Sequence, residues 1–293
     1  MAATLFTETT ALEREEALLD WFRSFGSVAI GFSGGVDSSY LASVAVDALG
    51  PERSLAIIGR SESFPDSQWR TARELAAQIG IRVAEIDTRE LHDERYASNP
   101  TNRCYFCKSE LWTKLAPFAR ANGATCLVDG TNADDLSDYR PGAKAAREHG
   151  VRSPLAEIGM TKAQIRERSK ARGLPTWAKP SSPCLSSRIP YGTRVTPERL
   201  QRIDRAESAL RELGFTGNLR VRDHGELARV ELDRPEIDRA CASPMSSRIS
   251  SAIRSAGFTR VAIDIAGFRS GSLNILEGIV PADANLPGDQ PAR

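Results

Sequence analysis

The sequence predicts an α/β fold, a doubly wound parallel sheet, followed by a smaller C-terminal α+β domain. Short apolar runs that suit buried strands alternate with longer segments of helical periodicity through the first 180 residues. A run rich in Pro and Ser at residues 179–183 interrupts this alternation, and a different order of elements follows it. We therefore expect domains at residues 1–180 and 181–280, and a disordered tail at residues 281–293.

Each element of the first domain follows from its apolar pattern. Residues 10–25 repeat apolar side chains at helical spacing, and residues 27–32 form a short apolar run that ends in Ser-Gly-Gly, as a buried strand would. Parallel strands joined by helices place their ligands at the carboxyl ends of the strands. The remaining helices are expected at residues 36–49, 66–79, 109–121 and 161–172, and the remaining strands at residues 54–58, 82–86 and 125–129.

The second domain has a different order of elements. A helix at residues 197–213 is followed by two strands that could form a hairpin, then by a helix and a last strand. This αββαβ order is typical of a small α+β domain. The elements after the first helix are expected at residues 219–223, 228–232, 244–256 and 259–265.

Charge and composition narrow the function. The 39 basic and 38 acidic side chains leave a formal net charge of +1, so no global positive field is present to attract nucleic acid. The sequence has no run of about 18 apolar residues and no signal-peptide pattern, which predicts a cytoplasmic protein without membrane spans. Five cysteines, an odd number, argue against a disulfide framework and favour metal, cluster or thiol chemistry.

A Gly- and Ser-rich stretch, Ser33-Gly34-Gly35-Val36-Asp37-Ser38-Ser39, follows a predicted strand and opens a predicted helix. The glycines let backbone N–H groups approach an anion, the serines add hydroxyl donors, and the helix N-terminus adds partial positive charge, so we expect a pyrophosphate site. Asp37 would repel a phosphate unless a divalent cation lay between them, which predicts a Mg²⁺ anchor. The Walker A spacing and its lysine are absent. A turn that only caps the helix is the alternative.

One other stretch carries polar side chains where a ligand of the predicted sheet would bind. The run Asp129-Gly130-Thr131-Asn132-Ala133-Asp134-Asp135 follows a predicted strand, so it lies at a carboxyl end where a nucleotide or its metal would bind. Its carboxylates could equally cap the next helix.

Three cysteines have spacing or surroundings that suggest chemistry. Cys104-Tyr-Phe-Cys107 has the two-residue gap that lets two thiolates face one metal or cluster. No paired Cys or His lies near Cys184, so a four-ligand zinc site would lack one ligand. Three thiolates suit a [4Fe–4S] cluster with one open iron, or one reactive Cys with two neighbours. The other two are interpreted as ordinary buried or half-buried side chains, Cys126 in a predicted strand and Cys241 at a predicted helix start.

The loop string is similar to the signature of the PP-loop ATP pyrophosphatases, a Rossmann-like superfamily that includes NAD and GMP synthetases, tRNA thiolases and ATP-dependent sulfur transferases. Further blocks follow in order: Arg-Cys-Tyr-Phe-Cys-Lys at 103–108, the run from Asp129, Arg-Pro-Gly at 140–142, Pro-Cys-Leu-Ser-Ser-Arg-Ile-Pro-Tyr-Gly at 183–192 and Leu-Arg-Val-Arg at 219–222. With them the chain closely resembles the LarE family of sulfur transferases of nickel-pincer cofactor synthesis, from about residue 10 to about residue 280.

This resemblance implies a specific reaction. ATP·Mg²⁺ would adenylate a carboxylate of pyridinium-3,5-biscarboxylic acid mononucleotide, and sulfur would then displace AMP. Cys184 matches the family's sulfur-donating cysteine, which in single-cysteine members is consumed and left as dehydroalanine. Because Cys104 and Cys107 are also present, the chain resembles the branch in which three cysteines hold a [4Fe–4S] cluster that carries inorganic sulfide. The family also implies a homo-oligomer.

The resemblance assigns residues of the second domain too. Arg220 and Arg222 alternate along a predicted strand, so both project to one face, and they match the family's substrate-phosphate clamp. Two solvated strand arginines are the alternative. By the same comparison Ser187, Arg188 and Glu207 would flank the transferring sulfur and the pyridinium ring. Glu231 could belong to a divalent-metal or substrate site.

Other functions share parts of this pattern. A tRNA thiolase would use the same loop and three cysteines, but it usually has Lys where this loop has Val36, and a basic patch is absent here. Amidation of the NAD synthetase kind would leave the cysteines unused. A sensor of nucleotide or redox state would bind ATP without releasing pyrophosphate.

Overall fold

The chain divides into two compact units. A computed structural model describes residues 9–137, 140–180 and 183–269. The first unit comprises Met1–Glu90 and Asn102–Lys179, and the second comprises Leu91–Thr101 and Pro180–Arg293. The tail expected at residues 281–293 lies outside the described residues.

A four-stranded parallel sheet forms the centre of the first unit. The strands lie in the order β3-β2-β1-β4, and every neighbouring pair is parallel, with Val28 opposite both Ser54 and Cys126. The predicted doubly wound α/β fold is therefore confirmed. The strands are β1 (Val28–Gly31), β2 (Ser54–Arg60), β3 (Arg82–Asp87) and β4 (Cys126–Val128).

The helices begin where local capping signals place them. Thr10 and Thr161 each form a capping box, with Glu13 and Gln164 respectively, at the first residue before a helix. Through residue 180 the α-helices are α1 (Ala11–Arg23), α2 (Val36–Leu49), α3 (Asp66–Ile79), α4 (Glu94–Ala97), α5 (Arg103–Ala121), α6 (Pro141–Glu148), α7 (Pro154–Glu157) and α8 (Lys162–Ala171). Single 3₁₀ turns lie at Pro51–Arg53, Glu90–His92, Asp134–Ser137, Pro175–Ala178 and Leu185–Arg188.

Helix α5 begins six positions before the predicted start at residue 109. It opens at Arg103, so Cys104 and Cys107 lie in its first two turns. Helix α6 was not predicted from the sequence, because its short, Ala-rich run has few large apolar side chains to show a period.

Apolar side chains cover both faces of the sheet. Alternate residues of β1 point to opposite sides, so that Val28 and Ile30 pack with Phe22 and Leu41 while Ala29 packs with Trp112. Both layers are buried, as a sheet that has helices on each side requires. No helix in the described ranges combines the length and apolar character needed to cross a bilayer.

The second unit contains a three-stranded mixed sheet in the order β5-β6-β7. Strands β5 and β6 form the predicted antiparallel hairpin, and β7 pairs with β6 in parallel. A helix that the sequence pattern does not predict follows β6, so the order is αββααβ. Cys241 is the last residue of this helix, whereas the sequence predicts it at the start of one. The elements are α9 (Pro197–Glu212), β5 (Leu219–His224), β6 (Leu227–Leu232), α10 (Arg234–Cys241), α11 (Met245–Ser255) and β7 (Arg260–Ile263).

Candidate functional site

The Gly-rich stretch of the first unit forms a tight turn between β1 and α2. Gly34 has a φ of 66°, and a Cβ added to it would lie 2.8 Å from both Cα and Cβ of Ala72 on α3. Only glycine meets both conditions, since other residues rarely adopt this φ and have no space here. At Gly34 the turn therefore exposes backbone atoms that no side chain covers. They lie at the N-terminus of α2, at the carboxyl edge of the sheet.

The serines of this turn have two different environments. The Oγ atoms of Ser33 and Ser38 lie 3.2 Å apart, and the backbone N–H of Gly35 donates to Ser33 Oγ over 3.4 Å. Ser39 is fully buried, and within the described residues its Oγ forms no hydrogen bond. Ser33 and Ser38 thus hold the shape of the turn, while Ser39 faces the interior.

The carboxylate of Asp37 has a cationic partner that was missed in the sequence. Nζ of Lys162 lies 2.5 Å from Asp37 Oδ2, and the side-chain amide of Asn132 approaches Asp37 Oδ1 at 3.4 Å. Lys162 is the first residue of α8, directly after the Thr161 cap, but no local pattern links it to a residue 125 positions away. The sequence predicts a Mg²⁺ ion beside Asp37, whereas in the folded chain the carboxylate contacts the ammonium group of Lys162.

The run after β4 packs against this turn. A Cβ on Gly130 would lie 3.1 Å from the Asp37 Cβ and from the Ser38 backbone nitrogen, so the backbone approaches closely here. Asp129 accepts from the Thr131 backbone N–H at 3.1 Å and from Ser153 Oγ at 2.7 Å. These contacts order the carboxyl end of β4.

Asp135 lies in the same run and is electrostatically distinct. Burial raises its pKa, although the nearby Arg140 acts in the opposite direction. Arg140 Nη2 lies 2.6 Å from Asp135 Oδ1, and the Asn132 backbone N–H donates to the other oxygen at 3.1 Å. The run therefore carries carboxylates that are already engaged in local contacts.

A second lysine, Lys179, also reaches the turn. Its Nζ donates to the Gly34 carbonyl oxygen over 3.2 Å, and burial lowers the pKa of its ammonium group. No sequence motif predicts this contact, because Lys179 lies in a Pro- and Ser-rich segment without periodicity.

The candidate cysteines lie in different units. Cys104 is exposed and Cys107 half-buried on α5 of the first unit, whereas Cys184 is half-buried in the second unit, just before the 3₁₀ turn Leu185–Arg188. No disulfide joins the five cysteines, all of which are described. Burial raises the pKa of Cys126 in β4, in keeping with an inert thiol. Within either unit, the described His, Cys, Asp and Glu side chains form no group of three suited to a metal ion.

Arg188 holds the backbone around Cys184. Its side chain is 1% exposed, and Nη1 donates to the carbonyl oxygens of Pro183 at 2.7 Å and Cys184 at 3.1 Å. The same nitrogen donates to Ser187 Oγ at 2.9 Å. Since the remaining nitrogens pair with Glu207, the arrangement brings together the four residues Cys184, Ser187, Arg188 and Glu207.

The charge of Glu207 is maintained by these contacts. Burial alone raises its pKa, but the Arg188 charge and hydrogen bond, the nearby Arg220 and the Val221 backbone N–H lower it overall. The carboxylate therefore stays ionised beneath the segment that carries Cys184.

Arg220 and Arg222 share one face of the hairpin, and both are buried, so the alternative of two solvated arginines is wrong. Arg222 donates to the Ser187 carbonyl oxygen at 2.7 Å and to Glu231 Oε2 at 2.8 Å. The other oxygen of Glu231 lies 3.0 Å from Arg229, a residue that was not singled out from the sequence. Glu231 is thus occupied by two guanidinium groups.

The guanidinium of Arg220 lies in a buried, positively charged environment. It lies 5.0 Å from the Phe268 ring centre and donates to the Leu219 carbonyl oxygen at 2.6 Å. Burial, followed by the positive charge of Arg188, lowers its pKa to about 9. A buried excess of positive charge of this kind would be relieved by a bound anion.

The segment Leu91–Thr101 supports the loop that follows Cys184. Asn99 has a φ of 60° and donates from Nδ2 to the carbonyl oxygens of Pro190 at 2.7 Å and Thr193 at 2.9 Å. Tyr96 shares a 2.6 Å hydrogen bond with Ser186 Oγ. The sequence pattern does not predict these contacts, because residues 91–101 do not differ in composition from the residues around them.

Comparison with known proteins identifies relatives over most of the chain. The NAD synthase family matches residues 21–114, which include the turn between β1 and α2. An uncharacterised protein of Synechocystis sp. is 44% identical over 88% of this chain and 96% of its own length.

Two further relatives have named activities. The pyridinium-3,5-bisthiocarboxylic acid mononucleotide synthase of Lactiplantibacillus plantarum is 35% identical over 90% of this chain and 95% of its own length. The NH₃-dependent NAD⁺ synthetase of Hyperthermus butylicus is 30% identical over 61% of this chain and 67% of its own length. The first of these similarities extends through both units, whereas the second covers less of the chain.

Proposed function

The chain belongs to the LarE family of ATP-dependent sulfur transferases, and from this premise we propose that it makes the thiocarboxylate precursor of the nickel-pincer cofactor. The substrate would be pyridinium-3,5-biscarboxylic acid mononucleotide. The name of the Lactiplantibacillus plantarum relative, which specifies a bisthiocarboxylic acid mononucleotide, supports this substrate class.

In the first step an oxygen of the substrate carboxylate attacks the α-phosphorus of ATP. A P–O bond forms, the bond to the β-phosphate oxygen breaks, and an acyl adenylate and pyrophosphate result. The pyrophosphate would bind at the turn formed by Ser33, Gly34, Gly35 and Ser38. The buried Ser39 and the closely packed Gly130 adjoin this site. Asp37 anchors Mg²⁺, which would have to share or replace the present contact with Lys162.

The observation that carries the proposal is the turn between β1 and α2. Its Gly34 backbone approaches α3 at a φ that favours glycine, and the helix N-terminus behind it offers N–H groups to an anion. A leaving pyrophosphate needs such donors, because they stabilise the charge that develops as the P–O bond breaks.

In the second step a sulfur nucleophile attacks the acyl carbon of the adenylate. A C–S bond forms, AMP leaves, and the product is a thiocarboxylate. With hydrosulfide as the nucleophile one proton is released to solvent. Arg188 and Ser187 position the Cys184 segment for this step, and Glu207 keeps Arg188 in place.

The source of the sulfur defines two versions of this step. The thiols of Cys104, Cys107 and Cys184 are a donor set whose chemistry suits a [4Fe–4S] cluster. Such a cluster, when bound, supplies an open iron that can carry inorganic sulfide. In the second version Cys184 itself attacks, its Cβ–S bond then breaks with loss of the α-proton, and dehydroalanine remains.

The phosphate of the mononucleotide would bind beside the hairpin of the second unit. Arg220 supports this, because its pKa is lowered by burial and by neighbouring positive charge, a condition that an anion would relieve. Arg222 is held in place by Glu231 and the Ser187 carbonyl oxygen, so it presents a fixed positive charge to the same face.

The proposal extends to the cellular location, the oligomeric state and the partners of the enzyme. We place it in the cytoplasm as a homo-oligomer that uses inorganic sulfide and binds no nucleic acid. The formal net charge of +1 supports the last point, because it provides no global positive field to attract RNA. RNA that co-purifies specifically with the protein would instead indicate a tRNA thiolase.

Anaerobic reconstitution with iron and sulfide tests the proposal. Absorbance and iron content report the cluster, and mass spectrometry follows AMP, pyrophosphate and the thiocarboxylate, with and without added sulfide. Catalytic turnover with sulfide and an unchanged protein mass supports the cluster version. A single turnover in which the protein loses the mass of H₂S supports sacrifice of Cys184. ATP binding without pyrophosphate release would refute both versions and indicate a sensor.

A further inference from the structure

Lys179 has a backbone that is fixed near the phosphate-binding turn. Arg166 of α8 donates to the Trp177 carbonyl oxygen at 2.6 Å and to the Lys179 carbonyl oxygen at 2.9 Å. The Lys179 backbone N–H also donates to the Thr176 carbonyl oxygen at 2.9 Å. The position of Lys179 is therefore set by α8, the helix that also begins with Lys162.

The side chain of Lys179 crosses to the turn itself. Nζ lies 3.2 Å from the Gly34 carbonyl oxygen, and no carboxylate of the described residues influences its charge. Lys162, the other lysine at this turn, is paired with Asp37. Two ammonium groups thus approach one phosphate-binding turn, and among the described residues only Lys162 has a carboxylate partner there.

An ammonium group that is half-buried, with one carbonyl oxygen as its partner, retains donors for an anion. The carbonyl bond is weaker than the charge-assisted bond that a phosphate oxygen would accept. The lowered pKa of Lys179, which burial causes, agrees with a cation that lacks a nearby negative charge.

We propose that Lys179 is a phosphate-binding residue of this site, whose Nζ moves from the Gly34 carbonyl oxygen to a phosphate oxygen of ATP or of the leaving pyrophosphate. This assignment rests on the proposed function in one respect, namely that the turn binds the nucleotide phosphates. The shared ligand chemistry is that of a polyphosphate with bound Mg²⁺.

Titration calorimetry with inorganic pyrophosphate and Mg²⁺ tests this role. We expect Lys179→Met to raise the dissociation constant about tenfold or more, since it removes a charge-assisted hydrogen bond. Lys179→Arg keeps the charge and should bind more tightly than Lys179→Met. The matched control is Lys170→Met, because Lys170 is exposed and lies over the Trp177 ring, with 4.8 Å from Nζ to the ring centre.

Chemical labelling of the wild-type protein provides a second measurement that needs no variant. An amine-acylating reagent is applied with and without saturating pyrophosphate, and modification is quantified by mass spectrometry. Pyrophosphate should protect Lys179 and leave the labelling of Lys170 unchanged.

The outcomes separate this assignment from the proposed function. If wild-type protein binds pyrophosphate but Lys179→Met binds it equally well, or if pyrophosphate leaves Lys179 unprotected, Lys179 is not a phosphate ligand. If wild-type protein binds neither ATP nor pyrophosphate, the nucleotide site itself is wrong, and this assignment is overturned with it.

Discussion

Arg188 and Glu207 form a two-bond ion pair beneath the Cys184 segment, with Nε to Oε1 at 2.8 Å and Nη2 to Oε2 at 2.9 Å. Because Glu207 occupies these two nitrogens, Nη1 is directed to the carbonyl oxygens of Pro183 and Cys184. One guanidinium group therefore connects α9 to the backbone on both sides of the candidate sulfur-transfer residue. An ammonium group has no planar arrangement of donors that could replace it.

The change Arg188→Lys should lower both stability and sulfur transfer. Disruption of a buried ion pair leaves an uncompensated charge, so we expect the free energy of unfolding to fall by about 3 kcal/mol. The change should also displace the Cys184 segment, and thiocarboxylate formation should be abolished as a result. Urea unfolding and the sulfur-transfer assay measure the two effects.

Arg194→Lys is the matched control, because Arg194 pairs with Glu94 at the surface, where the two side chains are 56% and 70% exposed. That change should cost less than about 1 kcal/mol. If the two variants unfolded at the same urea concentration, Arg188 would not have the structural role assigned to it.

Much of the fold could be predicted from sequence, because it depends on local periodicity. The bounds of α2 were predicted without error, and the two-residue period of β5 placed Arg220 and Arg222 on one face. The burial of both arginines was not predictable in this way, since it depends on how the hairpin packs. The helix that ends at Cys241 was missed because its charged sequence shows little apolar period.

The site shows the same division between local and distant effects. The turn at Gly34 was recognised from adjacent residues, whereas the Asp37–Lys162 contact joins residues 125 positions apart. The hydrogen bonds from Arg166 to Lys179 and from Lys179 to Gly34 likewise depend on the placement of α8 against the turn. Such pairs require the folded chain, because no spacing rule relates a helix start to a distant loop.

Replacement of Gly34 by alanine should reduce pyrophosphate affinity about tenfold or more, equivalent to about 1.4 kcal/mol. The added Cβ would lie 2.8 Å from Ala72, and the φ of 66° disfavours it further. The turn must therefore shift away from α3 and misplace its N–H groups. Titration calorimetry with pyrophosphate measures this loss.

The variant Gly80→Ala is the control that distinguishes the effect of a positive φ from the effect of the steric clash at Gly34. Gly80 also has a positive φ, 76°, but a Cβ there meets nothing within 4 Å. We expect this variant to lose about 1 kcal/mol of stability and to retain pyrophosphate affinity. Equal affinity in Gly34→Ala and Gly80→Ala would contradict the role of the close approach to Ala72.

The pKa of Arg220 predicts an alkaline limit to substrate binding. Its guanidinium carries a full charge below a pH of about 9 and loses it as the pH rises through that value. If it binds the substrate phosphate, kcat/KM for the mononucleotide should fall across that range, since this ratio reports groups of the free enzyme. A pH profile of initial rates measures the decline, which should be absent from the low residual activity of Arg220→Met. A decline of the same shape in that variant would assign it to another group.

Glu15 should make stability depend on pH at the acidic end. Burial by itself raises its pKa, but hydrogen bonds from Arg168, Arg172 and Tyr40 lower it from the usual 4.5 to about 2. Its stabilising effect is therefore complete above pH 4.5 and is lost as the pH falls towards 2. Glu15→Gln should lower the free energy of unfolding at neutral pH by about 3 kcal/mol, because it removes the buried carboxylate that pairs with the half-buried Arg168 and Arg172. Arg172 keeps its second partner, Asp47.

Urea unfolding at a series of pH values measures this effect against Glu16→Gln, a change at the exposed neighbouring residue. The difference in stability between Glu15→Gln and Glu16→Gln should be constant above pH 4.5 and should shrink as the pH approaches 2, since Glu15 becomes protonated over that range. A difference that does not change with pH would mean that packing of the Glu15 side chain, and not its charge, stabilises the contact between α1 and α8.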